Sequence, residues 1–111
     1  MPTFPRRFPR RGEIYWAPLN KVRPVVIVSN DHGNQWSDNV IVAPITTQPA
    51  AKEYPTDVPL PTGDPLPEAG RVLCQSLYTL AKDDLQGYRD DLSPDQQAAV
   101  DQALTVALGL R

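Results

Sequence analysis

Cysteine and histidine are nearly absent: Cys74 and His32 are the only ones in the 111 residues. An intrachain disulfide and a cysteine-based zinc site are thereby excluded, and a lone histidine cannot supply the paired ligands of a hydrolytic metal centre. Cys74 is expected to pack as a small hydrophobe in a reducing compartment. There is no apolar run of about 18 residues to span a bilayer. The opening Met-Pro-Thr-Phe-Pro-Arg-Arg also lacks the apolar stretch of a signal peptide, so a cytoplasmic protein without membrane association is expected. A phosphate-binding glycine loop and a nucleophile elbow are missing too. Nor is there an excess of positive charge: the net charge of −2 argues against indiscriminate binding to duplex DNA, whose affinity comes mostly from neutralised phosphates.

What is present is proline and unevenly placed charge. Seven of the 13 prolines fall between Pro44 and Pro67, a stretch expected to consist of loops and edge segments. Residues 1–30 carry six Lys or Arg against Glu13 alone, while the rest carries five against twelve carboxylates. The basic end is therefore the expected phosphate-facing side. With 41% apolar and 22% charged residues, the chain has the composition of one folded domain. Residues 1–11, rich in Pro and Arg without apolar period, read as a flexible basic arm, and residues 12–111 as the domain itself.

Within the domain, period-two alternation over Glu13 to Pro18 predicts a strand with two different faces. The β-branched run Val25 to Val28 predicts a buried second strand, joined to the first through a very short link at Asn20 and Lys21. Ser29 to Asn39 reads as polar turn, Val40 to Ile45 as a third strand, Val58 to Leu60 as a weak edge broken by Pro59, and Arg71 to Leu80 as one longer strand. Ser93, Pro94 and Gln96 form the start signal of a helix at about 94–108. Its apolar stripe is Val100, Leu104, Ala107 and Leu108, and Gly109 stops it. The pattern predicts a mainly β fold with a C-terminal helix, a small SH3-like barrel.

Residue chemistry alone leaves the site open. Arg23 has the permanent charge and planar fork to hold two phosphate oxygens, yet an arginine at the start of a strand is ordinarily a surface or ion-pair residue. Thr46 and Thr47 suit a strand without any functional role. His32 is expected to be solvated rather than a general base. Tyr15, Trp16, Trp36 and Tyr78 are candidates for base stacking; core packing is favoured for Trp16, while Tyr78 and Trp36, flanked by polar residues, are open to both.

Three segments occur in a familiar order: Arg11-Gly12-Glu13-Ile14-Tyr15-Trp16, Val22-Arg23-Pro24-Val25-Val26-Ile27-Val28-Ser29-Asn30 and Ile41-Val42-Ala43-Pro44-Ile45-Thr46-Thr47-Gln48. They resemble the successive motifs of the MazF/PemK toxins, and the resemblance runs from about residue 11 to residue 108. It implies a barrel of the CcdB/PemK (MazF) type acting as a homodimer. It further implies metal-independent, cofactor-free cleavage of single-stranded RNA and neutralisation by a cognate, MazE-like antitoxin. By resemblance, Arg23 of the Arg-Pro motif and Thr46 of the Ile-Thr-x-Gln motif are the catalytic residues. Lys21, Thr47, Gln48, Ser76 and Tyr78 are the RNA-binding ones.

Two departures bear on that reading. Family members commonly carry a longer Gly-rich loop between the first two strands, where this chain has little beyond Asn20 and Lys21, so the groove is expected to be more open. In Gln75-Ser76-Leu77-Tyr78-Thr79-Leu80-Ala81, the positions Ser76, Tyr78 and Ala81 differ from the usual Gln, basic residue and Asp, which implies a different RNA sequence preference. The competing readings are a catalytically weak relative that only binds RNA or antitoxin, a gyrase poison on the same fold as the CcdB toxins, and an SH3-like peptide-binding module.

Overall fold

The computed structural model describes residues 2–110. Among them are seven strands and two α-helices: β1 (Glu13–Leu19), β2 (Lys21–Ile27), α1 (Asp31–Trp36), β3 (Asn39–Thr46), β4 (Asp57–Leu60), β5 (Gly70–Leu73), β6 (Tyr78–Ala81), β7 (Gly87–Asp91) and α2 (Pro94–Ala107). All described pairings are antiparallel, in the order β4-β5-β3-β2-β1-β7, with β6 also lying along β3. This is the expected mainly β architecture, a curled half-barrel sheet with one C-terminal helix packed on it.

Alternation in the central strands feeds two separate cores. Ile14, Val26, Ala43 and Ile45 face one side, where they meet Val72, Cys74 and the α2 residues Val100, Ala103 and Leu104. Tyr15, Ala17, Leu19, Val25, Ile27, Val40 and Val42 face the other, packed with Leu85. Because both faces of β2 are covered, Val25 to Val28 read as a continuous apolar run rather than an alternation. Each fully buried Val or Ile contributes roughly 1.5–3 kcal/mol, so these strands are the stable floor on which the looser ends are carried.

Helix α2 starts and stops as its sequence dictates. The Ser93 hydroxyl accepts from Gln96 N–H at 3.1 Å while the Gln96 side chain accepts from Ser93 N–H at 2.9 Å. At the other end Gly109 adopts φ +67°, and Gly109 and Leu110 donate back to Val106 and Thr105, which satisfies carbonyls the helix would leave open.

Several sequence expectations need correction. Residues 2–11 are packed against the domain: Phe4 meets Tyr15 edge-on at 5.8 Å, Phe8 is buried beneath Arg10, and Arg6 pairs with Glu13 and Asp91. Isolated anchors separated by prolines have no period, which is why the segment reads as an arm. Ser29 to Asn39 is not all turn, for Asn30 caps the short helix α1 with its side chain. The single strand expected over Arg71 to Leu80 is two strands. Val72 lies opposite Ile45 and Tyr78 opposite Val42, so six steps on one side match three on β3. The three extra residues are looped out in a turn, closed by Ser76 N–H donating to Leu73. Strand β7, with no aliphatic residue, has no sequence signal at all. Pro59 does sit on an edge strand, since β4 ends the sheet.

Candidate functional site

The first hairpin is closed by one residue. Leu19 pairs with Lys21 across Asn20, whose φ of +65° lies in the left-handed region that asparagine tolerates. The link itself adds no loop beyond Asn20, and a cleft of 450 Å³ opens beside the strand ends. Lys21 and Arg23 reach it from β2, Thr46, Thr47 and Gln48 from the end of β3, Trp16 from β1 and Arg89 from β7, with Leu66, Pro67 and Glu68 on the far rim.

Arg23 and Thr46 come together at the cleft. Val25 pairs with Pro44 in the β2–β3 ladder. That is the last pair of the ladder, and Arg23 and Thr46 lie two residues beyond it on their strands, where both line the cleft. Both are half-buried. The Nε of Arg23 is buried without an acceptor among the described residues. None of the ion pairs among those residues engages Lys21, Arg23 or Arg89. The cleft thus carries three uncompensated cations against the single carboxylate of Glu68, which is the electrostatics of a polyanion site.

The Thr46 loop is braced from outside the cleft. Thr46 Oγ1 accepts from Gln48 N–H at 3.2 Å, so its own proton is left to donate elsewhere. Arg71 holds the next carbonyl, donating from Nε to Gln48 O at 3.2 Å and from a terminal nitrogen to Asp57 at 2.6 Å. A Cβ on Gly70 would stand 2.6 Å from Thr46 O, so only glycine lets β5 approach this closely. On the far rim, the Gln96 side chain donates to Asp64 O at 2.9 Å, tying the loop of Leu66 to Glu68 to the start of α2.

The remaining sequence candidates are elsewhere. Ser76 lies in the looped-out turn and Tyr78 is exposed at the start of β6; neither lines the cleft. His32 is exposed on α1, and Trp36 beside it is 70% exposed. Cys74 is buried in the main core, and burial, with the Asp57 charge adding to it, pushes its thiol up to about 11. Trp16, favoured for the core from sequence, is instead 36% exposed and lines the cleft. It shares a face with Ile14, but that face of β1 is covered only as far as Ile14, and Trp16 and Pro18 beyond it are exposed. Arg89 and the rim residues were missed; only the charge of Arg89, two residues past the glycine of a short polar stretch, offered a hint. The basic N-terminal segment is largely spent on structure, as Arg6 and Arg11 are paired with carboxylates.

This sheet order and cationic end cleft define a class of small antiparallel half-barrels with one terminal helix and a polyanion-binding cleft at the strand ends. Residues 10–108 match the family described as PemK-like, MazF-like toxin of type II toxin-antitoxin system, and the chain belongs to that family. Among solved structures it is similar to an endoribonuclease in complex with its cognate antitoxin from a mycobacterial species, at 34% identity and TM-score 0.84 over 93% of this chain and 97% of the other. The Mycobacterium tuberculosis toxin MazF-mt6 is 31% identical, with TM-score 0.80 over 89% and 98%. The MazE-MazF structure from Deinococcus radiodurans is 25% identical, with TM-score 0.76 over 92% and 96%.

Proposed function

We propose that this protein is a toxin endoribonuclease that cuts single-stranded RNA without a metal, acts in the cytoplasm as a homodimer, and is neutralised by a cognate antitoxin. The observation that carries the reading is a cleft of excess positive charge lined by both Arg23, whose Nε is buried without an acceptor among the described residues, and Thr46. Family membership and the endoribonucleases among similar structures support it.

In the reaction, the 2′-oxygen of a ribose attacks the adjacent phosphorus as its proton leaves. The bond to the 5′-oxygen breaks, and that oxygen takes up a proton. The products are a 2′,3′-cyclic phosphate and a free 5′-hydroxyl. The nucleophile belongs to the substrate, so the protein supplies charge, positioning and proton transfer. Arg23 neutralises the charge that builds on the phosphate oxygens. Thr46 donates a hydrogen bond from its free hydroxyl to one of them. Lys21, Thr47 and Gln48 hold the strand beside the scissile phosphate, and the proton lost by the 2′-oxygen balances the one the 5′-oxygen takes up.

The test is incubation of the purified protein with a long single-stranded RNA in EDTA, with Arg23→Ala alongside. Cuts ending in cyclic phosphate are expected, reduced by roughly 10²–10³ in the variant. Equal cutting by both would remove Arg23 from the mechanism. The one-residue link at Asn20 favours a second reading, a binder of RNA or antitoxin that cuts poorly because the link adds no loop to close over the strand. Binding without cutting by the unaltered protein would establish it.

A further inference from the structure

Resting on that reading of the cleft, we propose that Trp16 and Arg89 form a stacking clamp that takes one unpaired nucleobase of the bound RNA beside the cut. Three observations lead to it. Trp16 is a large aromatic left 36% exposed on the cleft wall, next to Pro24 in the β1–β2 ladder and one residue from the Arg23 position. Arg89 is the extra residue of a β-bulge: Ile14 pairs with Asp90 and Tyr15 with Tyr88, which leaves Arg89 without a partner on β1. The bulge turns its side chain out of the sheet alternation, and its guanidinium comes to stand over the Trp16 ring, 5.4 Å from the centroid.

That spacing is informative. Stacked groups in contact lie about 3.5–4 Å apart, and a planar base between two planes needs roughly twice that. The 5.4 Å from Arg89 Cζ to the Trp16 centroid is a cation–π contact, and admitting a base between the two requires it to lengthen by about 2 Å. An exposed arginine with no carboxylate partner among the described residues covers that difference by side-chain rotation. The same guanidinium stays within the cationic field of Lys21 and Arg23, so the base is gripped while its phosphate lies over those charges. A planar ring face is common to all four bases, so the clamp contributes affinity and register, with little sequence preference.

The experiment uses single-stranded DNA with the sequence of the mapped cleavage site, which retains bases and phosphates but lacks the attacking hydroxyl. Abasic positions are walked along it. At one position, loss of the base is expected to weaken binding about tenfold, the size of one base–aromatic stack. Trp16→Ala should weaken the intact strand by the same factor and become indifferent to that abasic position, and Trp16→Phe should fall between. Arg89→Lys should not restore the affinity lost in Arg89→Ala, since lysine keeps the charge and loses the plane. In a Trp36→Phe background the remaining tryptophan emission should be quenched by the intact strand and not by the abasic one. A protein that binds and cuts RNA but tolerates every abasic position equally, or whose Arg89→Lys variant is fully active in binding, overturns the clamp alone. A protein that binds no single strand overturns the clamp together with the reading it rests on.

Discussion

The Thr46 loop illustrates how a residue outside a cleft governs one inside it. Arg71 joins the Gln48 carbonyl to Asp57, and at 24% and 14% side-chain exposure the pair is largely withdrawn from water. Arg71→Ala should lower kcat more than it raises KM, because the loop loses its position rather than its groups. It should also cost about 1–3 kcal/mol in urea unfolding, as Asp57 is left without its donor. Arg71→Lys should recover stability better than kcat, since a point charge cannot span both acceptors. Tyr15 makes a second residue-scale case. Its hydroxyl donates to buried Glu13 at 2.9 Å, and burial, with the Glu13 charge adding to it, raises its pKa far above the ordinary phenol range. The folded state thus holds that proton more tightly than the unfolded chain. Its stabilisation is complete below about pH 10 and is lost as pH rises beyond it. Unfolding free energies measured from pH 8 to 11 should fall at the alkaline end, and Tyr15→Phe should flatten that fall.

At the scale of the elements, α2 is both a wall of the core and a strut. Gln96 closes the capping box and also holds Asp64 O, so the start of the helix fixes the proline-rich loop that rims the cleft. Ser93→Ala should cost about 1 kcal/mol, read from the urea midpoint. Its effect on RNA cleavage should be small, because Gln96 still reaches the loop. Strand β3 is the other organising element. It pairs with β2 along one edge and with β5 and β6 along the other, and the looped-out turn between those two carries Ser76 away from the cleft. The sequence reading of one continuous strand failed there because three extra residues leave the hydrophobic pattern intact while breaking the ladder.

For the whole molecule, charge placement decides what can bind. The chain is net acidic, yet the cleft concentrates Lys21, Arg23 and Arg89 with only Glu68 against them. Affinity for single-stranded RNA should fall linearly on a log–log plot against salt, and Lys21→Ala should reduce the slope by about 0.7, the yield of one phosphate contact on a single strand. An unchanged slope would place Lys21 off the RNA path. The same charges suit an antitoxin with an acidic disordered tail, which would compete with RNA for the cleft. No described helix is long and apolar enough to cross a membrane.

The sequence by itself determined those features that depend on neighbours along the chain: the two-faced strand from Glu13, the buried run from Val25, and the helix with its serine cap and glycine stop. Its motifs also pointed to the family and to Arg23 and Thr46 as a pair. Tertiary structure decided what depends on partners distant in sequence. The curl of the sheet brought Arg23 and Thr46 to one cleft, and a bulge with no sequence mark aimed Arg89 at Trp16. The reach of the core left that tryptophan in the cleft, and scattered aromatic and ionic anchors fastened the N-terminal segment. Periodicity reports which way a side chain faces; what it meets there depends on how far the covering element extends, and that is fixed only when the sheet closes.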